Sequence, residues 1–199
     1  MRERPIIMSA PMVRAILAGT KTQTRRVVKI RGLDFVGGGP RNGADWNDPS
    51  CWGFEDCNTG RNWALASGEG VDDVFSCPHG VPGDRLWVRE TWRAHDSVTM
   101  YRTDVDDDYA RLVKWRSPIH MPRDRSRITL EITGVRVERL QNISEADAMA
   151  EGASPVLVPP DGGDQPHVVG YRDLWESIHG AGSWDANPWV WVVAFRRAA

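Results

Sequence analysis

Hydrophobic positions along this chain change period several times, and each change marks an element. Met12, Ile16 and Leu17 recur at helical spacing within Pro11–Ala18, and Gly19 supplies a stop, so a short amphipathic helix is expected there. Val27 to Ile30 is expected to form a strand. The turn Pro82-Gly83-Asp84 launches a second strand, Arg85 to Trp92, with Leu86 and Val88 on one face and Trp87 and Arg89 on the other. From Arg127, the residues Ile128, Leu130 and Ile132 alternate with polar neighbours, and the pattern runs past Gly134 into Val135 and Val137, which predicts a strand bent by a bulge. The segment Trp189-Val-Trp-Val-Val-Ala-Phe195 is apolar on both faces and so belongs inside a sheet.

Two helices punctuate the later strands. Ser144 is placed to cap a helix ending at Glu151-Gly152, with Asp147 at the capping-box position, a cap worth about 1 kcal/mol. Tyr171 to Ile178 is the other, with Tyr171, Leu174, Trp175 and Ile178 on one face. Between these elements lie an insertion, residues 31–80, and a loop, residues 153–170, both rich in Gly, Pro, Asn and Asp. The insertion leaves room for a short hairpin around Trp52 to Phe54 and Asn62 to Ala66. With 199 residues, one domain spanning 1–199 is expected. Strands at irregular spacing with helices between them predict an α+β fold, a small β-barrel with peripheral helices.

Composition changes this picture at two points. Ten tryptophans bring stacking faces and indole N–H donors. The net charge of −2 excludes a protein that coats nucleic acid through many phosphate contacts. Charge is uneven, however: cations crowd the stretch up to Arg31, while Asp104 and Asp106 to Asp108 form an acidic knot. A local basic face on a neutral protein suits a nucleotide or a short single strand. The N-terminal stretch lacks the apolar core of a secretion signal, and three cysteines give no disulfide framework, so a cytoplasmic protein with no membrane partner is expected.

Candidate chemistry concentrates in Gly19-Thr20-Lys21-Thr22-Gln23-Thr24-Arg25-Arg26. A lysine base must lose its proton near neutrality, which burial or neighbouring cations promote, and Arg25 and Arg26 are such neighbours. Thr24 lies three residues on and is a candidate nucleophile. Spacing alone leaves a solvated basic loop equally open. Two carboxylates, Glu90 and Glu151, are candidate proton donors that spacing does not single out. Trp87 and Trp92 are candidate stacking residues, and His120, in a proline-bounded loop, is a candidate cleft residue. Cys51, Cys57, Cys77 and His79 amount to a candidate zinc set, but their spacings are not those of a standard knuckle, so free thiols with no metal and no cofactor are favoured. Neither a nucleophile elbow nor a P-loop occurs.

Taken together, Gly19-x-Lys21-x-x-Thr24-x-Arg26 resembles the signature of the ASCH domain family, whose members share a PUA-like β-barrel. The preceding helix, the Pro82-Gly83-Asp84 strand, the Ser144 helix and the terminal strand follow in the same order. The start SAPMVRAILAG and the strand PGDRLWVRETW are similar to those of larger ASCH proteins of phages and prophages. The resemblance implies kinship with small amidohydrolases that remove the acetyl group from N(4)-acetylcytidine using a lysine proton acceptor, a threonine nucleophile and a glutamate proton donor. Through the signature, the first two fall on Lys21 and Thr24. Through the helix start Ile143-Ser144-Glu145, the third falls on Glu151. Arg25, Arg26, Trp87, Glu90, Trp92 and His120 are then expected to bind the modified nucleoside. Other ASCH and PUA-like relatives bind RNA or modified bases, and some resemble ribonucleases, so a single-stranded RNA or DNA binding module and a ribonuclease are the alternative expectations.

Overall fold

Alternating burial on the terminal strand shows how the molecule is layered. The computed structural model describes residues 1–29, 52–56, 63–67, 70–95, 98–157 and 165–198. The elements that matter for the site are β1 (Glu3–Ile7), α1 (Ala10–Leu17), β2 (Gln23–Val27), β3 (Trp52–Asp56), β4 (Trp63–Ser67), β5 (Gly70–Phe75), β6 (Arg85–Arg89), β7 (Trp92–His95), β8 (Val98–Tyr101), α2 (Asp107–Leu112), β9 (Thr129–Arg139), α3 (Glu145–Ala150), α4 (Pro166–His179) and β10 (Trp189–Arg197). Five of these strands form one mixed sheet in the order β1-β6-β9-β10-β2. On β10, Trp191, Val193 and Phe195 enter a core shared with Ile6, Val13, Ile16, Leu86 and Leu130. Val190 and Val192 point the opposite way, into a second core with Leu140, Ala148, Tyr171 and Trp175. The expected doubly buried strand is therefore interior, with α1 covering one face and α3 and α4 the other.

The protein is a mixed α+β structure. Its main sheet is open, and among the described residues no closed barrel forms. Strands β1 and β2 are its edges, and Arg26 reaches from one edge towards the other, donating to the Ile7 carbonyl at 2.9 Å. The single parallel pair, β1 with β6, is tied by Asp84, whose carboxylate accepts from the Arg2 amide at 2.7 Å and from Arg4 at 2.8 Å. A turn legible in the sequence thus also fastens an edge strand.

Several expected boundaries move, each for a physical reason. The first strand after the signature runs over Gln23–Val27, not Val27–Ile30, because pairing with β10 holds a polar segment extended that has no apolar period of its own. The strand from Arg85 stops at Arg89. Leu86 and Val88 enter the core while Trp87 and Arg89 share the other face, as expected, but Arg89 covers the Trp87 ring and leaves it buried, and Trp92 opens a separate β7–β8 hairpin. The expected hairpin in the insertion is a three-stranded antiparallel sheet, β3-β4-β5. The loop ends before Pro166, which occupies the first turn of α4, where its missing N–H costs nothing. Strand β9 does run through Gly134, and a register shift opposite Ala194 and Phe195 supplies the expected irregularity.

The Ser144 cap forms as expected, its hydroxyl accepting from the Asp147 amide at 3.1 Å. The acidic knot is structural: Asp106 caps α2, Asp107 pairs with Arg102, and Asp104 pairs with Arg127. Among the described residues no helix is long and apolar enough to cross a membrane.

Candidate functional site

Two helix ends meet to make the site. Gly19 ends α1 with φ 78°, and Gly152 ends α3 with φ 77°, both in the left-handed region that favours glycine. A β-carbon at Gly152 would lie 2.9 Å from the Ala15 side chain and 3.3 Å from that of Lys21, so only glycine lets these ends approach so closely. Backbone bonds lock the junction: Lys21 donates to the Ala15 carbonyl, Thr22 to that of Ala150, and Phe195 to that of Thr22. Strand β2 then carries Gln23, Thr24 and Arg25 inward, all buried.

Lys21 has no exposed side-chain surface. Its ammonium donates to the carboxylate of Glu151 at 2.7 Å and to the Glu151 main-chain carbonyl at 2.7 Å. Burial lowers its pKa below the ordinary 10.5, and the nearby Arg26 and Arg25 push in the same direction against the pull of Glu151. Arg25 is equally enclosed. It binds Glu151 at 3.2 Å, Asp147 at 3.1 Å and, at short range, Glu138. Arg136 adds bonds to Glu138 and Asp147, so three cations (Lys21, Arg25, Arg136) balance three carboxylates (Glu138, Asp147, Glu151). Gln23 also bonds the Asp147 carboxylate at 3.0 Å, which draws that side chain out of the expected capping box.

Beside this network lies a small cavity of about 10 Å³, room for one water-sized group. Thr24 and Glu151 both line it, with Tyr171, Trp175 and His179 from α4 opposite. Lys21 reaches this cavity through its bond to Glu151 and is not itself among the lining residues. Burial, reinforced by Glu151, holds the Tyr171 phenol well above its ordinary 10.0, so it stays a donor near neutrality.

Met12, Arg26 and Ile178 also line a second, wider cleft of about 470 Å³ that adjoins the first. Its size is that of small-molecule pockets, roughly 300–1,000 Å³. Its walls are mainly apolar, from Ile6, Ile7 and Met8, and its polar groups include Arg26, Thr91 and His79. Burial, with help from Arg26 and Arg4, lowers His79 from 6.5 to about 4, which leaves a neutral ring near pH 7.

The remaining predicted residues are placed elsewhere. Trp87 is only 8% exposed and lies beneath the Arg89 guanidinium at 4.6 Å, while Trp92 is 4% exposed and covered by Arg116 at 5.3 Å. Neither ring offers the open face that base stacking requires. Glu90 is buried and bound to Arg127 at 2.9 Å and to Thr103 at 2.8 Å. His120 is exposed on a short 3-10 turn. None of these four lines either cavity. Of the zinc candidates, Cys51 and Cys57 lie outside the described residues. Cys77 is a core residue whose thiol burial pushes up to about 11. Among the described residues no group of three metal-ligating side chains forms.

Sequence reasoning missed Tyr171, Trp175 and His179 as cavity residues, because the apolar period of α4 reads simply as a core face. It also missed Glu138, whose only signal is polar alternation, and read Asp147 only as a capping-box acid. Searched against protein families, curated proteins and solved structures, the chain has no match.

Proposed function

We propose that this protein is an amidohydrolase of N-acylated pyrimidine nucleosides, with N(4)-acetylcytidine as the type of substrate. One observation carries the reading: Thr24 and Glu151, the latter paired with buried Lys21, line one small cavity that shares Met12, Arg26 and Ile178 with a nucleoside-sized cleft. The ASCH resemblance assigns the same three residues, Lys21, Thr24 and Glu151, from the sequence. In this reading Thr24 attacks the acyl carbon and Lys21 takes its proton. The lowered pKa of Lys21 favours the neutral amine that a base must be. Glu151, bonded to Lys21, returns a proton to the departing amine, and water then hydrolyses the acyl-threonine ester. Arg26, at the boundary of the two cavities, orients the nucleoside.

The Trp87 and Trp92 faces argue against the alternative of a stacking module for single-stranded nucleic acid, because both are covered. Turnover and titration test the two together. Wild-type protein is expected to release acetate from N(4)-acetylcytidine, and Lys21→Ala, checked for retained fold, to lose about 10²–10⁴-fold in rate. No release from a panel of acylated nucleosides, with tight and steeply salt-dependent binding of an RNA oligonucleotide, would overturn the enzyme reading.

A further inference from the structure

On α4, Trp175 is 3% exposed, and its indole N–H is buried without a hydrogen-bond partner among the described residues. Such groups are rare in folded proteins, and each asks for an explanation. Trp175 lines the same cavity as Thr24 and Glu151, and that space holds about one heavy atom. We propose that the indole N–H of Trp175 holds the acyl oxygen of the substrate and stabilises the oxyanion that forms there. This rests on the amidohydrolase reading above.

The other donors at the cavity are engaged or less suited. Arg25 is bound to Glu138, Asp147 and Glu151 through its two terminal nitrogens, which leaves only its Nε without a partner among the described residues, and Arg26 donates to the Ile7 carbonyl. Tyr171, one turn before Trp175, is a protonated phenol and a competing neutral donor, as is the His179 ring, whose pKa burial lowers. The indole is held in place: His179 stacks on it at 4.1 Å and 30°, and the Tyr171 ring lies 6.2 Å away. A donor fixed before substrate arrives needs no reorganisation when charge develops.

In the reaction, Thr24 Oγ bonds to the acyl carbon as its proton passes to the Lys21 amine and on, across their 2.7 Å hydrogen bond, to the Glu151 carboxylate. The carbonyl π pair moves onto oxygen, which accepts from Trp175 Nε1–H. Collapse restores the C=O bond and breaks the C–N bond, and the amine departs with a proton from Glu151. Water repeats the sequence on the ester and frees the carboxylic acid.

The test combines kinetics with the indole resonance. Trp175→Phe, verified as folded by its melting curve, is expected to lose about 100-fold in kcat on N(4)-acetylcytidine with KM little changed, whereas Tyr171→Phe keeps most of its rate. In the folded Thr24→Val protein, the Trp175 indole N–H signal, assigned by its absence in Trp175→Phe, should shift on adding N(4)-acetylcytidine but not cytidine. An unchanged kcat in Trp175→Phe, or the loss appearing in Tyr171→Phe instead, overturns the proposal while the hydrolase reading stands. If wild type turns over no acylated nucleoside, the hydrolase reading fails. An indole signal unmoved by N(4)-acetylcytidine then overturns this proposal too, and a shift keeps Trp175 as the carbonyl donor of a binding site.

Discussion

Glu90 and Glu151 show how two equally buried glutamates differ in what they can do. Each is 2% exposed, and each is bound by cations. Glu151 lines a cavity together with Thr24, whereas Glu90 is bound by Arg127 and Thr103 and lines neither cavity. Glu90→Ala is therefore expected to cost stability without costing chemistry. Urea unfolding should show a loss of about 1–3 kcal/mol, the range for hydrogen bonds to a charged group, with kcat on N(4)-acetylcytidine within about twofold of wild type. A large fall in kcat with stability intact would put Glu90 in the site. No local sequence pattern separates the two glutamates. Glu151 was legible only through the family resemblance, and Trp175 was hidden because a buried indole on a helical stripe looks like packing.

Among the elements, those with a strong period or a strong punctuation mark were readable. Strand β10 was readable because both its faces are apolar, and α3 because Ser144 and Gly152 bracket it. Strand β2 was not, since Gln23, Thr24 and Arg25 are polar, and only pairing with β10 and the carboxylates of β9 and α3 makes them an inward strand. The α1–α3 junction rests on Gly152 in the same way. Gly152→Ala adds a side chain at a left-handed backbone position and against Lys21 and Ala15. It is expected to destabilise by about 1–3 kcal/mol and to displace Lys21 from Glu151. Thermal melting together with the rate on N(4)-acetylcytidine checks this. A variant with an unchanged melting temperature and full activity would show that the junction tolerates a side chain.

On the scale of the whole molecule, the open sheet is covered on both faces, and the site lies where α4 closes over the β2 edge. The expected barrel was inferred from strand spacing as well as from family likeness, and strand periods alone do not say whether a sheet closes. What the molecule offers a ligand is a small cavity beside Thr24 and a wide, mainly apolar cleft, with Arg26 lining both. This suits a small acylated ring better than a long polyanion, for which a row of phosphate-binding cations would be needed. The central claim is that Thr24 carries the chemistry. The most direct test is the initial rate of acetate release from N(4)-acetylcytidine by wild type and by Thr24→Val, a substitution of nearly the same shape that removes the hydroxyl. The account predicts turnover by wild type and a loss of about a thousandfold or more in the folded variant. Equal rates in the two proteins, or no release by wild type, would contradict it.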